Sequence, residues 1–220
     1  MTDGHYSVIT NFGCHWKCPY CVVKTTGIDV PETDMNETTR TIERLLPNMR
    51  FLSFSGGGDP LWRIDDERRA WYRRITEQCK QKGVATEMHT SMIAAPHLLH
   101  AGTPDEPMFD RIVYHIRHER LIPRIQRIQG TANRVVFVVA PDFTPDRIDR
   151  IDRMCSGVQN VDELSFRQMI NPDYSIDRTC EDHLLEGHGK RWHYITQGDY
   201  NTYILNDQTA DTYESLRRTA

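Results

Sequence analysis

The chain of 220 residues has no apolar run long enough to cross a bilayer as a helix, so an ordinary membrane span is excluded. Its six cysteines are too few to staple a secreted scaffold of this size. Neither sign of charge is in excess, with 27 Lys and Arg against 31 Asp and Glu and a net value of −4. Composition therefore gives no support to a nucleic-acid-coating surface. The opening Met1-Thr2-Asp3-Gly4-His5 lacks the charged-then-apolar pattern of a signal peptide, and no internal repeat or low-complexity tract interrupts the chain. These absences predict a cytoplasmic protein in reducing surroundings, built as one domain large enough for a real core.

What the chain has in concentrated form is thiol. Cys14-His15-Trp16-Lys17-Cys18-Pro19-Tyr20-Cys21 carries three cysteines spaced C-x3-C-x2-C, just after a strand-like run from Tyr6 to Asn11 and a punctuating Gly13. Thiolate is the soft ligand that iron–sulfur clusters select. In a four-iron cluster three cysteines leave one iron without a protein ligand, and an open metal position is where a substrate or cosubstrate binds. Three rival readings fit the same residues. Cys18-Pro19-Tyr20-Cys21 alone reads as a dithiol site, which predicts a thiol–disulfide oxidoreductase or electron-transfer module with Cys14 dispensable. Zinc with His15 as fourth ligand would require adjacent side chains to converge on one tetrahedral ion, whereas structural zinc sites pair two separated ligand couples. The thiols can also be structural.

A second motif bears on the choice. Phe51-Leu52-Ser53-Phe54-Ser55 reads as the second strand, and Gly56-Gly57-Gly58-Asp59-Pro60 follows at once. Glycine permits positive φ and close backbone approach, and Pro60 fixes the exit, although alone this is an ordinary turn. Cys14, Cys18 and Cys21 with Tyr20 before the last thiol, followed by Gly57-Gly58-Asp59-Pro60 at the end of the next strand, resemble the two signatures of the radical S-adenosylmethionine (radical SAM) enzymes. Asp59 departs from the glutamate of that family's G-G-E-P. The resemblance covers roughly residues 6–170 in architecture and implies an α/β fold, a partial (β/α)6 TIM-like barrel open on one side. It implies a [4Fe-4S] cluster on Cys14, Cys18 and Cys21, with S-adenosylmethionine chelating the fourth iron. Reductive cleavage would give a 5'-deoxyadenosyl radical that abstracts hydrogen from substrate, with flavodoxin or ferredoxin as the kind of reductant. By the same resemblance, the backbone at Tyr20 meets the adenine edge, and Gly57, Gly58 and Asp59 meet the methionyl amino group. Val22-Val23 stand where 7-carboxy-7-deazaguanine synthases often carry Asp-Thr, which counts against that member. The expected substrate is a small molecule or nucleoside. A protein or peptide, as for glycyl-radical activating enzymes, is the alternative.

The remaining pattern is strand and helix in alternation. Lys24 to Met35 is a polar loop or flap beside the thiols, and Asn36 caps a helix to Leu46 with Ile42, Leu45 and Leu46 on one face. Asp65 to Lys82 is an amphipathic helix ended by Gly83. In the third strand, Val84 to Ser91, Glu87 and His89 share a face, which points either into a polar barrel interior, the reading preferred, or to solvent. A helical patch around Ala94 to His100 leads to the fourth strand, Arg111 to Ile116, and a helix from Arg120 to Gln129 follows. Arg134 to Ala140 is almost wholly apolar, as in a strand covered on both sides. A helix over Asp146 to Cys155 and a strand over Val161 to Ile170 complete six repeats. This argues for a parallel sheet with both motifs at carboxyl ends of strands, with a doubly wound sheet as the alternative. Residues 171–220 are assigned to a C-terminal extension that covers the substrate side. In it, Arg191–Thr196 pairs with Thr202–Leu205 as a hairpin around Gly198, before a helix over Thr209–Arg218. His183, His188 and His193 with Cys180 lack a paired metal signature, and Cys79, Cys155 and Cys180 are isolated, so one cluster is expected. Ser91, His115 and Arg117 are candidates for the methionyl carboxylate and ribose, and Arg167 and Gln168 for substrate or cofactor.

Overall fold

The computed structural model describes residues 4–25, 32–55, 57–94, 96–100, 106–196, 199, 201–212 and 214–216. Half of the expected polar loop or flap (residues 26–31), Gly56 and Gly198 lie outside the described residues. The strands are β1 (His5–Ile9), β2 (Phe51–Ser55), β3 (Ala85–Thr90), β4 (Arg111–His115), β5 (Ala132–Val139), β6 (Glu163–Gln168), β7 (His193–Ile195), β8 (Thr202–Leu205) and β9 (Gln208–Ala210). The helices are α1 (Val22–Thr25), α2 (Met35–Leu45), α3 (Asp66–Gln81), α4 (Pro145–Ser156) and α5 (Glu181–Gly187). All nine strands form one sheet in the order β7-β6-β5-β4-β3-β2-β1-β8-β9. Every pairing is parallel except β8 with β9. The sheet does not close, and the fold is a partial α/β barrel. Among the described residues no helix is long and apolar enough to cross a membrane.

Period-two alternation sorts the strand residues to two faces. Leu52 and Phe54 of β2, Met88 of β3, Ile112 and Tyr114 of β4, and Val135 and Phe137 of β5 point outward. There they meet Ile42 of α2, Trp71, Tyr72 and Ile75 of α3, and Ile148 and Ile151 of α4 in one buried core. The alternate residues face a cavity and are mostly polar, among them Ser53, Glu87, His89, Arg111, His115 and Arg134. Hydrophobic burial thus lies between sheet and helices, and the concave face lines the cavity.

Local chemistry fixes the helix ends. Asp34, rather than Asn36, caps α2: its carboxylate accepts from the backbone N–H groups of Asn36 and Glu37. Asp65 and Thr144 cap α3 and α4 in the same way. Gly83, at φ +70°, takes the left-handed turn after α3. The helix expected over Arg120–Gln129 is only a 3-10 segment, Glu119–Arg124. Pro123 lacks the N–H that an α-helix needs and clashes with the preceding turn, so Ile125 is already extended. Ile122, Ile125 and Ile128 are still buried.

Residues beyond 170 extend both edges of the sheet. The hairpin expected between Arg191–Thr196 and Thr202–Leu205 is not formed: β7 lies parallel on β6, and β8 lies parallel on β1. The hairpin joins β8 to β9 instead, turning at Asn206 in the left-handed region (φ 56°), which asparagine tolerates. Where a helix was expected over Thr209–Arg218 there are the end of β9 and a 3-10 turn, Glu214–Leu216, with 213 and 217–220 outside the described residues.

Phe54 is fully buried, with edge-on contacts to Trp71, Tyr72 and Phe109. Phe54→Ala should cost about 3–5 kcal/mol, read as a lowered urea midpoint with an unchanged denaturant slope.

Candidate active site at the carboxyl ends of the strands

The cysteine loop leaves β1 and lies backbone to backbone on the turn after β2. Gly58 N–H donates to the Asn11 carbonyl and Asp59 N–H to the Gly13 carbonyl, both at 2.8 Å, and the Asn11 side-chain amide donates to the Asp59 carbonyl at 2.8 Å. The contact demands glycine. A Cβ at Gly58 would stand 2.0 Å from the Gly13 oxygen, and one at Gly57, where φ is +58°, would stand 2.6 Å from the Asn11 oxygen.

The Asp59 carboxylate, only 4% exposed, ties this turn to the end of β3. One oxygen accepts from Leu61 N–H (3.0 Å) and the Thr90 hydroxyl (2.8 Å), and the other from Ser91 N–H (2.7 Å) and the Ser91 hydroxyl (2.8 Å). His15 Nε2 lies 2.9 Å from Ser91 Oγ and 3.5 Å from Asp59. Since the Ser91 hydroxyl donates to Asp59, it accepts from His15. This leaves His15 Nδ1 buried and unpartnered among the described residues.

Cys14, Cys18, Cys21 and Tyr20 open on one wall of a cavity of about 850 Å³. All six cysteines are thiols. Trp16 N–H donates to Cys14 Sγ at 3.4 Å, Cys21 N–H to the Cys18 carbonyl at 3.2 Å, and Lys24 Nζ to the Trp16 carbonyl at 2.6 Å. The Tyr20 hydroxyl bonds the Cys18 side chain. The Arg117 guanidinium sits 5.8 Å from the Trp16 ring centroid. Burial pushes the Cys14 and Cys18 thiols up, partly offset at Cys18 by Arg117. Among the described residues no group of three His, Cys, Asp or Glu side chains could hold a metal ion as it stands. The fit of a cluster rests on the donor set alone: Cys14, Cys18 and Cys21, which line the same cavity, are the soft thiols that would hold such a centre.

Behind the thiols the concave face is layered by strand register. Glu87 and Arg111 are level; His89, Arg134 and Glu163 stand one layer higher, then His115, then Arg167 nearest the mouth. Arg111 Nε donates to Glu87 at 2.9 Å and its Nη1 to Glu163 at 3.3 Å, while Arg134 pairs with Glu163, so four charges brace the floor. Glu87 also lies 2.7 Å from His89 Nε2, and His89 Nδ1 lies 2.7 Å from His115 Nε2. Burial favours the neutral carboxyl of Glu87, but His89 and Arg111 outweigh it and hold its pKa at about 2. Burial, then His89 and Arg167, push His115 well below the usual histidine value.

The structure brings Tyr20, Gly57, Gly58, Asp59, Ser91, His115 and Arg117 to this cavity together with the three cysteines. It differs from expectation in what some of them are free to do. Ser91 is occupied by Asp59 and His15, and a neutral His115 is no cation for a carboxylate. Gln168 alternates to the opposite face of β6 from Arg167 and bonds Glu181 and Tyr194. Asn11, the anchoring role of His15, and the Arg134–Glu163 pair escaped sequence reasoning. Of these only Arg134, the one charge in an apolar run, carried a visible signal.

No family model and no curated protein matches the chain. Among solved structures, SuiB of Streptococcus suis bound to the precursor peptide SuiA is similar over 88% of this chain, at 12% identity and a TM-score of 0.56. SuiB bound to S-adenosylmethionine is similar over 88%, at 12% identity and a TM-score of 0.55. This chain spans about half of SuiB, 48% and 50% of those chains. The 4-hydroxy-tetrahydrodipicolinate synthase of Methylacidiphilum fumariolicum SolV matches over 89% of this chain and 62% of its own, at 13% identity and a TM-score of 0.45. At such identities the SuiB likeness establishes the fold.

Two expectations follow from the geometry. Asp59→Ala strands four donors and should destabilise the chain by about 3–5 kcal/mol, seen as a lower urea midpoint. Stability should also fall in acid in two stages. Below about pH 6.5 the unfolded chain takes up a proton that the half-buried His115 refuses; from about pH 4.5 towards 2, folded Glu87 stays ionised after its unfolded counterpart is protonated. Urea midpoints measured across pH should lose the second stage in Glu87→Gln.

Proposed function

We propose that this chain is a radical SAM enzyme in which Cys14, Cys18 and Cys21 hold a [4Fe-4S] cluster. One observation carries the reading: three thiols line a large cavity of mixed polar and apolar surface, in a loop locked against the glycine-rich turn at the next strand end. When bound, the cluster and S-adenosylmethionine would supply one-electron cleavage of the sulfonium and a 5'-deoxyadenosyl radical that takes hydrogen from the substrate. The chain's own residues position and shield. Gly57 and Gly58 let the turn carbonyls come close to the methionyl amino group, and the backbone at Tyr20 edges the adenine. Arg117, which has no carboxylate partner among the described residues, takes the methionyl carboxylate in preference to Ser91 or His115. The Asp59 side chain holds the turn instead of touching the cosubstrate.

The cavity's size, and its apolar surface interrupted by acids, histidines and arginines, favour a small molecule or nucleoside as substrate. A peptide is the second reading, favoured by the precursor peptide bound to a protein of the same fold. Residues 171–220 contribute Leu185, His193 and Tyr203 to the cavity wall, which suits a substrate-side role. A flavodoxin or ferredoxin in a reducing cytoplasm would supply the electron.

Anaerobically reconstituted protein should contain about four irons and four sulfides per chain. It should form 5'-deoxyadenosine when S-adenosylmethionine and a reductant are added, and Cys14→Ala should lose both the chromophore and the cleavage. Protein without inorganic sulfide, or a Cys14→Ala variant with full cleavage, would overturn the proposal in favour of a Cys18–Cys21 dithiol.

A further inference from the structure

The concave face holds a chain of titratable groups that the thiol loop does not explain. Glu87, His89 and His115 line the cavity in successive layers, joined by two contacts of 2.7 Å. We propose that they form a proton relay whose outlet, Nδ1 of His115, acts as a base towards an acidic O–H or N–H group of a substrate in the cavity. The proposal is independent of what the thiols carry.

The direction of the relay follows from donor and acceptor inventory. Glu87 also takes the Arg111 guanidinium on its other oxygen, and as a carboxylate it can only accept. His89 therefore presents Nε2–H to it, and in the neutral ring His89 Nδ1 is the acceptor. His115 must then place its own proton on Nε2, facing His89. That leaves His115 Nδ1 with a lone pair and no hydrogen bond among the described residues, on a side chain that lines the cavity. Burial keeps this ring neutral, as a waiting base must be.

One proton enters in balanced steps. A substrate O–H or N–H gives its proton to His115 Nδ1 and keeps the electron pair. His115 passes its Nε2 proton to His89 Nδ1 and returns to neutrality as the other tautomer. The charge comes to rest on an imidazolium at His89, paired with Glu87. Of the other charged groups that line the cavity, Arg167 on β6 disfavours charge on His115, Arg117 lies two residues past β4, and Arg134 on β5 is paired with Glu163; Asp59 and Asp199 also line the cavity, but Glu87 is the carboxylate in contact with His89 and so the anion that stabilises the protonated relay. A plain structural stack of two rings would need neither the carboxylate nor an open Nδ1.

The test is imidazole nitrogen NMR on the full chain labelled at histidine, with resonances assigned through the variants. At alkaline pH both rings should carry Nε2–H. On acidification His89 should become imidazolium and His115 should move its proton to Nδ1 at one shared midpoint. In Glu87→Gln that midpoint should fall by at least one pH unit. In His89→Gln, a second variant should Glu87→Gln fail to fold, the shared midpoint should vanish. Diethyl pyrocarbonate, mapped by mass spectrometry, should acylate His115 above the midpoint and spare it below. Independent midpoints for the two rings, an Nδ1–H on His115 at alkaline pH, or an inert His115 while exposed His193 reacts would each overturn the relay.

Discussion

A buried carboxylate with four donors around it decides where the site can be. Asp59 accepts from Leu61, Thr90 and twice from Ser91, and so fastens the ends of β2 and β3 to each other. His15 reaches the same Ser91 from within the cysteine loop, so that loop is held by its second residue as well as by its backbone. The bond from Asp59 to Leu61, two residues on, is one that a short acidic side chain makes easily. Glutamate, one methylene longer, would carry its oxygens past that N–H. Aspartate at a position where the resembling family has glutamate is thus accounted for by a local job.

The second organising fact is the division of labour across the sheet. Apolar side chains on its convex face meet the helices, while the concave face carries acids, histidines and arginines held in register by the strands. Left alone, each buried charge would be costly, and the Glu87–Arg111–Glu163–Arg134 bracing supplies the partners that make it tolerable.

Much of the core was legible because it is written in local periods. Strands β2 to β6 and helices α2 to α4 fall close to where alternation and amphipathic spacing put them, and Glu87 and His89 do face the interior. Failures cluster where a distant partner or a single residue overrules the local pattern. Pro123 cut a helix that three well-spaced isoleucines suggested. Asp34 capped α2 ahead of Asn36. β7 and β8 each found a partner far away in sequence, which no short window can reveal. The thiol loop and the glycine turn were visible as motifs, but what fastens them together, Asn11, His15 and the Asp59 side chain, became visible only in three dimensions.

Because the greasy side of the sheet packs against the helices and the opposite side lines the cavity, core and cavity draw on different residues of the same strands. Substitutions at Val113, Val136 or Val138 on the concave side can reshape the cavity and leave the packing behind them intact. Such a scaffold is free to change its chemistry by drift without first surrendering its architecture.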